Sequence, residues 1–182
     1  MTSQDQRPEP SRGEPPRCFQ ERDLAVLDSA SRMAFELVSE ACGPDFFDVG
    51  RVPVDVRHFP QLLDSEKRGG VLAQLLCYSR THSVTRGRPA YWRVCLYDPA
   101  ILKTCLREKL DLLPLLSYVL THELVHVSRF SKFLELFGLD EAARFREEVI
   151  VHRQTADLME TLSLPGMDSV LTLFREHPRT LD

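Results

Sequence analysis

The residues whose types and spacing specify a chemistry are His122, Glu123 and His126, in the segment His-Glu-Leu-Val-His. Side chains four residues apart lie one above the other on the same face of an α-helix. The two neutral imidazoles can therefore bind a single metal ion, for which Zn²⁺ is the usual choice. Glu123 can deprotonate a water molecule bound to that metal. The segment predicts one zinc ion, a general base and a hydrolytic reaction.

The motif lies in an apolar segment that the sequence predicts as a long helix over Leu115–Phe137. A helix that is apolar on most sides is buried. Burying two histidines and a glutamate without partners costs several kcal/mol, and a bound metal removes that cost. The alternative is a chance match, in which the ring nitrogens are hydrogen-bonded within an ordinary core.

A catalytic zinc site has three protein ligands and water in the fourth position, so a third ligand must come from another element. If the chain reverses at Gly138, a residue near Ile150 on the following helix, predicted over Glu141–Leu162, lies level with His126. The candidates are Glu147, Glu148 and His152.

The face of the second helix separates these candidates. The apolar stripe expected to face the motif helix consists of Ala142, Phe145, Val149, His152, Ala156 and Met159. Glu148 precedes His152 by four residues and flanks this stripe, whereas Glu147 lies about 140° from His152 at roughly 100° per residue. Glu148 is therefore the predicted third ligand, and Glu147 is interpreted as a solvated helix charge.

Several roles fit His152. It can support the ligands, donate to the oxyanion of the transition state, or replace Glu148 as the third ligand. A histidine satisfied by ordinary hydrogen bonds in the core remains the alternative. Other candidate oxyanion donors are Tyr78, Tyr91, Tyr97 and His82.

The rest of the chain predicts an α+β fold in one domain over residues 19–182, after a disordered tail over residues 1–18. Residues 2–17 contain four prolines and few apolar side chains, so they cannot bury enough surface to offset their ordering entropy. The remaining predicted elements are a helix over 21–42, an edge strand over Val52–Val56, a hairpin of strands over Val71–Tyr78 and Tyr91–Tyr97, and helices over Ala100–Arg107 and Met167–Arg175.

Composition excludes several classes of protein. The net charge of −4 argues against nucleic acid and anionic membranes as partners. The five cysteines form no Cys-x-x-Cys pair, which predicts reduced thiols and a cytoplasmic protein. No apolar run reaches the roughly 18 residues that a membrane span needs, and the N-terminus lacks the apolar region of a secretory signal.

The motif with a downstream Glu148 resembles the zincin metallopeptidases, and in particular the gluzincins, over roughly residues 91–160. Val119, Leu120, uncharged Thr121 and the apolar residues inside the motif fit the extended consensus of that family. Two positions depart from it. Ser128 replaces a hydrophobic residue, and His152 stands where an Asp often supports a ligating histidine.

The resemblance implies a zincin-like fold, in which a small, mostly antiparallel sheet packs on the long helices that carry the motif. It implies a zinc-dependent peptidase that acts on a peptide or protein substrate through a metal-bound water. In such enzymes an edge strand before the motif helix aligns the extended peptide, a role open here to Tyr91–Tyr97. Arg80, Arg86, Arg88 and Arg93 around the hairpin either recognise acidic groups or form a solvated loop.

Two other functions fit the same residues. One is a zincin-fold binding or regulatory module that keeps its metal without cleaving peptides. The other is a structural zinc site in which His152 supplies a fourth ligand. Glu123 argues against the structural site, because such a site needs no general base.

Overall fold

The computed structural model describes residues 16–43, 53–78, 91–132 and 140–176. Most of the predicted tail, the reversal at Gly138 and the loop that contains His82 lie outside these ranges. The helices are α1 (Glu21–Cys42), α2 (Asp98–Glu108), α3 (Leu112–Lys132), α4 (Glu141–Met159) and α5 (Met167–Glu176), and the strands are β1 (Val54–His58), β2 (Ala73–Tyr78) and β3 (Tyr91–Leu96). The predicted α+β class is confirmed. None of the described helices combines the length and apolar character needed to span a membrane.

The three strands form a mixed sheet in the order β1-β3-β2. The predicted hairpin is confirmed, since β2 pairs antiparallel with β3 and Tyr78 lies opposite Tyr91. β1 lies at an edge, as Pro53 in the predicted strand suggests, but it pairs parallel with β3. The expectation of a mostly antiparallel sheet is therefore wrong. The expected role of Tyr91–Tyr97 as a substrate-aligning edge strand is also wrong, because β3 is hydrogen-bonded on both sides.

The motif helix α3 runs through the core. Every residue from Pro114 to Ser128 is buried, as its nearly continuous apolar sequence predicts. Ala30, Ala34 and Val38 of α1 belong to the same core cluster, and the sheet adds Val94 and Leu96 of β3. The small alanines allow α1 to approach α3 closely. The helix that carries the two histidines is thus fixed by packing on more than one side.

Asp98 at the start of α2 joins three parts of the chain. Its carboxylate accepts hydrogen bonds from the backbone N–H groups of Phe19 and Phe59, at 3.0 and 2.9 Å. Nδ1 of His58 lies 3.0 Å from the same carboxylate. Asp98 is fully buried, so these partners replace the water that an ionised carboxylate requires. One carboxylate therefore joins the segment before α1, the end of β1 and the start of α2.

Replacing Asp98 by alanine is expected to lower the free energy of unfolding by about 3–5 kcal/mol, because it leaves several buried donors without an acceptor. Urea denaturation followed by circular dichroism measures the effect. The matched control is Asp28→Ala, which removes an exposed aspartate from α1. Equal stability of the two variants would contradict the assigned role of Asp98.

Candidate metal centre

The two motif histidines and Glu148 meet between α3 and α4. His126 of α3 lies beside Glu148 of α4, and His122, one turn earlier, lies beside His152, one turn later. The two helices are therefore antiparallel. Asp140 caps the start of α4 as predicted, because its side chain accepts a 2.7 Å hydrogen bond from the N–H of Ala143. This antiparallel arrangement brings Glu148 to the motif.

The donor atoms of this group form a triangle. Nε2 of His122 and Nε2 of His126 are 3.1 Å apart. Oε2 of Glu148 lies 3.4 Å from the first nitrogen and Oε1 of Glu148 lies 3.1 Å from the second, so both carboxylate oxygens together form the third corner. Two ligand atoms of a tetrahedral zinc ion, each about 2.0 Å from the metal, are roughly 3.3 Å apart. All three distances lie within about 0.2 Å of this value. The residues present therefore fit a metal ion bound by two imidazoles and one carboxylate.

Hydrogen bonds account less well for the same triangle. A neutral imidazole carries at most one proton on Nε2, so His122 and His126 together can fill two of the three close contacts. If both protons point at Glu148, the two protonated nitrogens still lie 3.1 Å apart with no hydrogen bond between them. A metal ion between the three side chains can bind both Nε2 atoms and the carboxylate at once, which favours a metal site over an ordinary core network.

The protonation of the group also suits a metal. Burial lowers the pKa of His122 to about 3, although its contact with Glu148 acts in the opposite direction. Burial alone would raise the pKa of Glu148, but its contacts with His122 and His126 lower that pKa below its usual range. Both side chains are therefore deprotonated at neutral pH, as metal ligands must be.

Glu123 is buried next to the first histidine and is 5% exposed. Burial raises the pKa of the Cys95 thiol on β3 to about 12, and the negative charge of Glu123 contributes to that rise. The Glu123 carboxylate is therefore close enough to Cys95 to affect its thiol. On the side of α3 that faces β3, Phe130 stacks on His126, with ring centroids 5.4 Å apart, and Trp92 of β3 stacks on Phe130 at 5.9 Å.

His152 lies beside the triangle without belonging to it. The donor atoms that lie within 4.8 Å of one another come from His122, His126 and Glu148, and among the described residues His152 does not join them. Its ring is 4.5 Å from that of His122, centroid to centroid. Nδ1 of His152 lies 3.0 Å from the hydroxyl of Tyr118. Tyr118 is four residues before His122 on the same helical face. This spacing is visible in the sequence and places Tyr118 on the face that carries the motif histidines.

Glu147 does not approach the histidines, and the interpretation of Glu147 as a solvated charge is wrong. Glu147 is only 5% exposed and forms a two-fold ion pair with Arg129 of α3. Nη2 of Arg129 donates to Oε2 of Glu147 at 2.8 Å, and Nε of Arg129 donates to Oε1. Sequence reasoning missed Arg129, although it lies three residues after His126.

The predicted apolar stripe of α4 is also wrong in its first half. Phe145 and Val149 are exposed at 49% and 47%. The buried residues of this helix are Glu147, Val151, His152, Thr155 and Met159. The inward face is therefore partly charged, because α3 supplies partners for its polar side chains.

The three candidate tyrosines lie in a separate cluster around Glu66, and the fourth candidate donor, His82, lies outside the described residues. The hydroxyl of Tyr78 donates to the carboxylate of Glu66, and Nη1 of Arg93 donates to it at 2.8 Å. Nη2 of Arg93 lies 3.5 Å from the hydroxyl of Tyr91, and the Tyr97 hydroxyl lies 3.1 Å from Oε1 of Gln74. These contacts indicate a structural role for Arg93 and the three tyrosines. Arg80, Arg86 and Arg88 lie outside the described residues.

Removal of the proposed third ligand tests this arrangement. Glu148→Ala is expected to weaken zinc binding more than Glu147→Ala, because only Glu148 contributes an oxygen to the triangle. Competition with a chromophoric chelator measures both dissociation constants. The reverse order of affinities would exclude Glu148 as a ligand.

Comparison with known proteins finds no matching family model, no similar curated protein and no similar solved structure. The assignment of a function therefore depends on the arrangement of this chain's own residues.

Proposed function

We propose that this protein is a zinc-dependent peptidase. The observation that carries the proposal is the triangle formed by His122, His126 and Glu148, with a buried Glu123 directly after His122 in the chain. Two histidines and a glutamate are the ligand set of one class of catalytic zinc site, which keeps a position open for water and substrate. The helix that carries the motif, the following helix that carries Glu148 and the small sheet beside them support a zincin-like fold.

Each residue has a role that follows from its chemistry. When zinc is bound by the three ligands, it polarises the scissile carbonyl and lowers the pKa of water. The Glu123 carboxylate accepts a proton from the attacking water and passes it to the leaving amine. Burial keeps bulk water away from this carboxylate, which strengthens its electrostatic interactions.

His152 is proposed as a hydrogen-bond donor to the substrate. The Tyr118 hydroxyl can donate to Nδ1 of His152, which leaves the proton of the neutral ring on Nε2. A protonated Nε2 beside His122 can stabilise negative charge on the substrate carbonyl oxygen. The contact with Tyr118 and the absence of His152 from the triangle both argue against a structural site closed by this residue. The proposed setting is cytoplasmic, with a peptide or protein as substrate.

Peptide cleavage tests the proposed activity. The zinc-loaded protein is incubated with a mixture of unstructured peptides, and new termini are identified by mass spectrometry. We expect cleavage that stops when the zinc is chelated and returns when zinc is restored. A zinc-loaded protein that leaves every peptide intact would contradict the peptidase and favour a zinc-binding module without catalysis.

A further inference from the structure

The ion pair between Arg129 and Glu147 lies next to two of the proposed ligands. Arg129 follows His126 by three residues on α3, and Glu147 immediately precedes Glu148 on α4. Both nitrogens of the guanidinium fork contact the carboxylate, which fixes the angle of approach as well as the distance. The pair is largely buried, since the side chains of Arg129 and Glu147 are 17% and 5% exposed.

The contact between His126 and Glu148 is bracketed by two polar contacts between the same helices. On one side lies the ion pair of Arg129 with Glu147, and on the other lies the contact of Tyr118 with His152. Rotation or sliding of α4 along α3 would break both. The two contacts together therefore fix the position from which Glu148 reaches the histidines.

Apolar packing contributes little at this end of α4. In residues 141–150, all of which are described, Glu147 is the only buried residue. Phe145, Val149 and Ile150 are all at least 40% exposed. The buried apolar residues of the helix, Val151 and Met159, come later in the chain. Among the described residues, the charged pair is therefore the buried contact that joins the first half of α4 to α3.

A buried ion pair often adds little net stability, because the desolvation of both charges offsets their attraction. Its directional contacts can still select one arrangement of two helices. We infer that Arg129 is a positioning residue, which acts through Glu147 to hold Glu148 in place for the metal. This inference depends on the proposed metal site. It assigns to the Arg129–Glu147 pair the role of holding the ligands in position before the metal binds.

The test measures zinc affinity in the full chain with zinc alone as the probe. Arg129→Met is expected to raise the zinc Kd about 10- to 100-fold, as the loss of groups that orient ligands does elsewhere. Arg129→Lys is expected to be intermediate, because Lys keeps the charge but lacks the planar fork. The matched control is Arg146→Met, which removes an exposed positive charge beside Glu147 and should leave the Kd unchanged.

Each Kd is measured under conditions in which circular dichroism shows that the metal-free variant is folded. A residue that only stabilises the fold therefore leaves the zinc Kd unchanged. Wild-type affinity in Arg129→Met would overturn the inference while leaving the metal site intact. A wild-type protein that binds no zinc would instead overturn the proposed function. If Arg129→Met does not fold, Arg129→Lys and Glu147→Gln decide the question, and an unchanged Kd in both overturns the inference.

Discussion

Glu123→Gln is expected to bind zinc as tightly as the wild type and to lose peptide cleavage by a factor of about 10²–10⁴. Glutamine has nearly the shape of glutamate but cannot accept the proton of the attacking water. Because Glu123 lies outside the triangle of ligand atoms, its replacement leaves the metal ligands in place. Cleavage rates on a peptide found in the activity screen, together with the zinc Kd, measure both effects.

The matched control for this variant is Glu36→Gln, which makes the same chemical change at an exposed position on α1. The control should keep both the wild-type rate and the wild-type Kd. Full activity in Glu123→Gln would exclude Glu123 as the base. A large loss of zinc binding in that variant would instead indicate that Glu123 belongs to the ligand set.

Zinc is expected to stabilise the folded protein strongly. The ion bridges α3 and α4, and the three ligands come together only in the folded chain. A ligand that binds only the folded state adds about 2.7 kcal/mol to the free energy of unfolding at roughly 100 times its Kd. Urea denaturation with and without zinc should show this increase as a higher midpoint with an unchanged slope.

The contribution of the triangle is isolated by Glu148→Ala, in which zinc should raise the midpoint much less than in the wild type. Arg146→Met serves again as the control and should respond to zinc as the wild type does. If zinc shifts the midpoint of Glu148→Ala as much as that of the wild type, the ion binds elsewhere on the chain.

The sequence predicted the elements around the site well, for identifiable physical reasons. The continuous apolar character of α3 predicted its burial, and the helical spacing of apolar residues predicted α1 over residues 21–42. Distance along the two helices limited the third ligand to Glu147, Glu148 and His152, and the position of Glu148 four residues before His152 then selected it. The error in the first half of the apolar stripe did not affect this selection, because His152, the reference position, is buried as predicted.

The parts that could not be predicted depend on contacts between distant segments. The burial of Glu147 requires Arg129 on another helix, and a pattern read within α4 alone assigns its charged residues to solvent. The parallel pairing of β1 with β3 also joins strands that are not consecutive in the chain. Local alternation of apolar residues identified both strands but carried no information about the order in which they pair.

The most direct test of the central claim is the zinc content of the purified protein, measured by elemental analysis for the wild type and for His122→Ala. Because His122 contributes one corner of the triangle, we expect one zinc ion per wild-type chain and a strongly reduced content in the variant. The metal centre would be contradicted if the wild-type chain retained no zinc when zinc was supplied, and if the variant matched the wild type in zinc content and in stability.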